Sequence, residues 1–102
     1  MLVASVTLRV DLRKRMEALS AIDALMRDMR ACPGCLGVRL FVDAADGTEL
    51  VLMSEWDERR DVDGFLESRD FLILQGMRIL LREDPSALVD DVRSRTSVSL
   101  KR

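Results

Sequence analysis

Few side chains in this sequence can do chemistry, and the missing types constrain it as much as those present. The chain contains no His and no Tyr, and Asn is absent as well. Without His, the commonest general base and metal ligand is gone. Ser-His-Asp and Cys-His catalysis, His-ligated haem and the usual zinc hydrolase sites are therefore excluded, within one chain or any homo-oligomer. What remains is a single Trp, Trp56, beside an acid, Glu55, with Arg39 on a neighbouring predicted strand. Phe65, Phe71 and Met77 follow, with Cys32 and Cys35 earlier in the chain.

Each of these residues has a plain reading and a functional one. Trp56 is either a large core residue, its indole N–H on a backbone carbonyl, or a cavity wall that stacks an aromatic ligand. Arg39 and Glu55 are either a cross-strand charge pair or a site that orients a phenolate or carboxylate. The methionines are core, or the lining of an adaptable apolar pocket. Cys32-Pro33-Gly34-Cys35 is a C-x-x-C that follows a helix and leads into a strand, so the helix N-terminus that activates thioredoxin-type thiols is not evident. Two thiols are also too few for a structural zinc site, and no metal is expected. The motif reads as a turn carrying thiols, with a reversible Cys32–Cys35 disulfide as the alternative.

The elements that must position these residues follow from periodicity. Residues 2–10 alternate apolar and polar, a strand pattern. From Leu12 the period lengthens, and Leu12, Met16, Leu19, Ile22, Met26 and Met29 form the stripe of an amphipathic helix with Asp11 as N-cap. Cys32-Pro33-Gly34 ends it. Residues 36–43 and 49–56 read as strands joined by a loop containing Asp46-Gly47. A short helix capped by Asp57 carries Val62, Phe65 and Leu66, weakened at Gly64 by up to ~1 kcal/mol. A second helix, capped by Ser68, carries Phe71, Leu74, Met77 and Leu81 and stops at Asp84-Pro85. Residues 87–99 read as a last strand.

The order βα, ββ, α, β predicts one α+β domain over residues 1–102: a ferredoxin-like, four-stranded antiparallel sheet with helices on one face. The strands are apolar on both sides, and a lone sheet would leave a large patch in water. A homodimer that covers the helix-free face follows. With charges of both signs mixed and a formal net charge of −2, no nucleic-acid or anionic-membrane partner is expected. No apolar run reaches the ~20 residues of a membrane span. Two cysteines without an export signal predict a cytoplasmic location.

Four pieces of the chain resemble one family. Cys32 to Leu40, CPGCLGVRL, resembles its "PGCLGYRLY" entry into the second strand, and Leu50 to Trp56, LVLMSEW, resembles its third strand ending in Glu-Trp. The acidic segment Asp57 to Ser68 and the Ser68-Arg69-Asp70-Phe71 start of the next helix complete the likeness to the antibiotic-biosynthesis-monooxygenase family. This resemblance implies a dimeric α+β barrel with a cavity between sheet and helices, used in some members for cofactor-free oxygenation of phenols and quinols. It implies no cofactor here. Trp56 matches the oxygenase branch's Trp, whose companion Asn and Tyr have no counterpart. The haem-degrading branch is contradicted: its first-strand Asn falls where Ser5 and Thr7 stand, and its axial His falls at Leu66. Two functions are expected from the whole: a cofactor-independent monooxygenase acting on a small aromatic quinol or polyphenol, or a non-catalytic dimeric ligand-binding or interaction module. In the first, Trp56, Phe65, Phe71 and Met77 form the walls and Arg39 stabilises the substrate anion.

Overall fold

The computed structural model describes residues 1–101. The elements run β1 (Leu2–Arg9), α1 (Arg15–Arg30), β2 (Cys35–Val42), β3 (Glu49–Trp56), α2 (Arg59–Leu66), α3 (Arg69–Gly76) and β4 (Ser86–Asp91). Every strand pairing is antiparallel and the sheet order is β2-β3-β1-β4. This is the expected ferredoxin-like α+β fold. Alternation along the strands sends Leu2, Ala4, Val6 and Leu8 of β1, and Leu50, Leu52, Ser54 and Trp56 of β3, into the helix-covered core.

The first helix differs from its sequence reading at its start. Asp11 caps a 3-10 turn over Leu12–Lys14, accepting from the Arg13 N–H at 3.0 Å, and α1 proper begins at Arg15. The tighter winding turns Leu12 out of the stripe, and Met16, within α1 but two residues from Ala18, points away from the buried face; both are exposed. The buried face is Ala18, Ile22, Leu25, Met26 and Met29. The cap of α2 shifts by one residue. Glu58 and Asp61 form a capping box in place of an Asp57 cap, each side chain satisfying the other's backbone N–H. Ser68 caps α3 as expected, accepting from the Phe71 N–H at 3.2 Å.

Two C-terminal boundaries were set by partners distant in sequence. After Gly76 the chain tightens into a 3-10 turn, Met77–Leu80, and leaves helix well before Asp84-Pro85. There Leu81 bridges Val10, the Asp11 N–H donates to Leu80 O at 2.9 Å, and the Arg82 N–H donates to Arg9 O at 2.7 Å. The last strand ends at Asp91, opposite Leu2 and short of residue 99, with one further bond from the Val92 N–H to Met1 O at 2.8 Å.

The turn between α1 and β2 seats α2. The Cys35 N–H donates to Cys32 O at 3.2 Å and Gly34 has φ +78°, so with Pro33 at the second position this is a type II turn. A Cβ on Gly34 would fall 2.1 Å from the Asp61 carboxyl carbon, and Gly34 O accepts from the Asp57 N–H at 2.9 Å. Gly34→Ala is therefore expected to destabilise the fold by at least about 1–2 kcal/mol from the left-handed backbone alone, with the displaced Asp61 adding to it. Urea unfolding measures this, and an unchanged midpoint would show that the turn does not hold α2.

Candidate functional site

Trp56 closes β3 and is 1% exposed. Its indole N–H donates to the Ser54 hydroxyl at 2.9 Å, where a backbone carbonyl was expected. Ser54 is the one buried polar residue among those described. Because Ser54 and Trp56 sit two apart on one strand, they share the helix-facing side, and the hydroxyl satisfies a donor that would cost ~1–3 kcal/mol if left bare. The Trp56 ring stacks on Phe65 of α2, centroids 5.1 Å apart and planes at 21°, and Phe65 meets Phe71 of α3 edge-on at 5.6 Å and 88°. This aromatic row ties sheet to α2 to α3. Trp56 and Phe65 are core residues, and Phe71 is half-buried at the end of the row.

Beyond Phe71 lies a cleft of about 280 Å³ between α3 and β4, lined by Val6, Phe71, Leu74, Gln75, Arg78, Asp84, Pro85, Ser86 and Ala87. It exists because the helices leave β4 uncovered: Ala87 pairs with Val6 on the helix side of the sheet and is nonetheless exposed. Its lining is apolar at Val6, Phe71, Leu74, Pro85 and Ala87 and otherwise carries one guanidinium, one carboxylate, one amide and one hydroxyl. Arg78 and Asp84 make no ion pair with the described residues. A second cavity of about 300 Å³ lies on the other side of the row, lined by Cys32, Pro33, Trp56, Arg60, Asp61, Gly64, Phe65 and Ser68.

The expected site residues are thus divided. Met77 is buried in the core and lines neither cavity. Arg39 and Glu55 fall on the opposite face of the sheet, because residues one apart from Val38 and Trp56 point the other way. They do not form the cross-strand pair that their positions suggested. Glu55 faces Gly37, Arg39 faces Met53, and the Glu55 carboxylate takes its ion pair from Arg95 at 3.4 Å. Both line a cavity of about 360 Å³ at the β2 edge of the sheet with Arg30, Cys35, Val38 and Met53. Arg39 therefore cannot serve an anion held against Phe71, and the cation that can is Arg78, which the sequence reading passed over. Its only sequence signal is a lone basic residue among the apolar positions Met77, Ile79 and Leu80.

Among the described residues, no group of three or more Cys, Asp or Glu is placed to hold a metal ion, and no helix is long and apolar enough to cross a membrane.

The structure is a ferredoxin-like α+β domain with a cleft between α3 and the edge strand β4 that Arg78 helps line. The antibiotic biosynthesis monooxygenase family model matches residues 1–75 of the 102, and the chain belongs to that family. The matched part stops before Arg78, so one wall of the cleft lies outside it. A candidate antibiotic biosynthesis monooxygenase from Deinococcus radiodurans superposes with a TM-score of 0.88 at 13% identity, over 97% of this chain and 99% of its own. Another from Nitrosomonas europaea gives 0.82 at 19% identity, over 92% and 100%. The Mycobacterium tuberculosis protein Rv0793 gives 0.77 at 25% identity, over 95% and 100%. A sequence search of curated proteins found no match.

Ser54→Ala leaves the buried indole donor unsatisfied and is expected to cost about 1–3 kcal/mol. Trp56→Ala is expected to cost about 3–5 kcal/mol through lost burial and the cavity left behind, while Trp56→Phe keeps most of the ring packing and folds. Thermal melts of the three variants check the order. Trp56→Ala melting within a degree or two of the parent would contradict the aromatic row as a structural tie.

Proposed function

We propose that the chain binds a small aromatic anion, a phenol or quinol of one or two rings, in the α3–β4 cleft and oxygenates it without a cofactor. The observation that carries this reading is the pairing of apolar walls, Phe71, Leu74 and Val6, with a guanidinium free of ion pairs among the described residues, Arg78, in one cleft. A guanidinium in the lining of the cleft favours the deprotonated ligand, and Asp84 is the one carboxylate in the lining that could take the proton. In such chemistry the electron-rich phenolate passes one electron to dioxygen and the radical pair forms a C–O bond. The peroxide then loses water, so that one oxygen atom stays in the product quinone and the other leaves as water. The protein's part is to hold the anion, align it against Phe71 and limit water.

Membership of a monooxygenase-named family supports the catalytic reading. The small cleft volume, at the lower edge of the ~300–1,000 Å³ usual for ligand pockets, and the lack of Tyr, Asn and His favour the second reading, a non-catalytic binding module. The two part on oxygen consumption. Titration with a dihydroxynaphthalene under air is expected to show saturable binding with oxygen uptake and a quinone absorbance. Arg78→Met is expected to weaken binding at least tenfold while melting like the parent. Binding with no oxygen uptake selects the module, and an Arg78→Met variant that binds as well as the parent removes the cleft from either reading.

We also infer that two copies pair through the helix-free sheet face. Register aligns Phe41, Val51, Thr7 and Ser86 in one row across that face and Arg39, Met53, Ser5 and Leu88 in the next, with Phe41 45% and Leu88 70% exposed. Phe41, Val51, Met53 and Leu88 together leave on this helix-free face an apolar surface of the kind that a partner covers. The free thiols Cys32 and Cys35 suit a reducing setting such as the cytoplasm. A dimer burying more than ~1,000 Å² is expected, with sedimentation equilibrium at micromolar concentration giving twice the chain mass. Leu88→Asp combined with Met53→Asp is expected to give folded monomers, whereas a monomeric parent would place the pairing elsewhere or nowhere.

A further inference from the structure

The C-x-x-C turn is left unused by the proposed reaction, yet it is built into the seat of α2 and touches the aromatic row. We propose that Cys32 and Cys35 are a reversible dithiol–disulfide couple, closed by exchange with a low-molecular-weight disulfide, whose state is read by α2 and Trp56. This goes beyond the cleft chemistry and does not depend on it.

Three observations carry the proposal. First, Cys32 and Cys35 are the outer residues of a hydrogen-bonded type II turn with Pro33 and Gly34 between them. A turn brings its outer Cα atoms within ~7 Å, inside or at the edge of the ~4.4–6.8 Å that a disulfide spans. Second, both side chains lie on the helix side of the sheet. Cys35 pairs directly with Trp56, whose side chain enters the core, and Cys32 lines the cavity shared by Trp56 and Phe65. Both are half-buried against the core, and Cys35, on the edge strand β2, also lines the cavity it shares with Arg39 and Glu55. Third, the turn between them has two fixed attachments to α2: the Asp61 carboxyl occupies the place of a Gly34 Cβ, and the Asp57 N–H donates to Gly34 O.

In the reduced state each thiol rests on a carbonyl, Cys32 Sγ on Asp28 O at 3.5 Å and Cys35 Sγ on Gly37 O at 3.8 Å. Burial pushes the Cys32 thiol up, with Asp70, Cys35 and Asp28 adding to it. Burial also pushes Cys35 up, against the Gly37 amide contact and the charge of Arg30. Both thiols therefore stay protonated at neutral pH, and the pair reacts slowly until a thiolate forms. Closure breaks two S–H bonds and makes one S–S bond. Two electrons and two protons pass to the external disulfide, which leaves as two thiols. The sulfurs give up their carbonyl contacts at the end of α1 and the start of β2, and the turn that carries α2 becomes covalently fixed.

The test equilibrates the full chain with reduced and oxidised glutathione, quenches with acid, alkylates with N-ethylmaleimide and weighs the product. Trp56, the one tryptophan, reports through its emission. Expected is a chain 2 Da lighter that takes up no alkylating agent, with quenched Trp56 emission and a raised melting midpoint, all reversed by dithiothreitol. Cys32→Ser and Cys35→Ser are each expected to fold, to stop at a glutathione adduct and to keep the reduced emission. Adducts or cross-linked chains in the parent without the 2 Da loss would overturn the couple. So would a disulfide that forms yet leaves both emission and melting midpoint unmoved.

Discussion

The stacking of Trp56 on Phe65 is the contact on which the rest of the molecule hangs. It joins the end of β3 to α2, and through the edge-on meeting of Phe65 and Phe71 it reaches α3 and the wall of the cleft. Each aromatic pair contributes ~0.5–1.5 kcal/mol beyond simple burial, but its larger effect is on position. The three rings set the distance between α3 and the sheet, and that distance decides whether the space beside β4 is a cleft or a packed core. Ser54 supports the arrangement by satisfying the indole N–H inside the core, which leaves the ring one orientation.

Strand alternation then sorts the polar residues. On β2 and β3, a shift of one residue moves a side chain from the helix layer to the bare sheet. Trp56 and Glu55 are neighbours in sequence and lie on opposite faces of the sheet. Glu55 and Arg39 therefore share a surface with Arg30 and Met53, where Arg95 from the C-terminal segment already neutralises the acid. The cation available to the helix side comes from the 3-10 turn after α3. Its presence there follows from the pairing of Leu81 with Val10, which draws the chain out of helix early and lays Arg78 along the cleft.

The turn between α1 and β2 shows how local and distant constraints meet. Pro33 and Gly34 specify a type II turn by backbone preference alone. Gly34 is also required because Asp61, far along the chain, fills the space a side chain would need. Asp61 is in turn held by its exchange of hydrogen bonds with Glu58. The two cysteines flank the point where these constraints converge.

The sequence by itself determined the element order, the ferredoxin-like topology and the family. Periods of two and of about 3.6 residues are written directly in where Leu, Val and Met recur, and the motifs from Cys32 to Leu40 and from Leu50 to Trp56 are contiguous in the chain. It also determined that these residues bring no imidazole to any site, since an absent residue type is absent from every fold. The ends of elements were less legible. β4 stops at Asp91 opposite Leu2, well short of the extended pattern, and Leu12 leaves the stripe because the chain starts as a 3-10 turn; both depend on partners or winding that a local pattern does not encode. The site was legible only in part. Phe71 could be named from its place on a helix stripe, but grouping it with Arg78, Asp84 and Val6 depends on how far α3 stands from β4. Only tertiary packing decides that distance, because the aromatic row that sets it joins three elements separated along the chain.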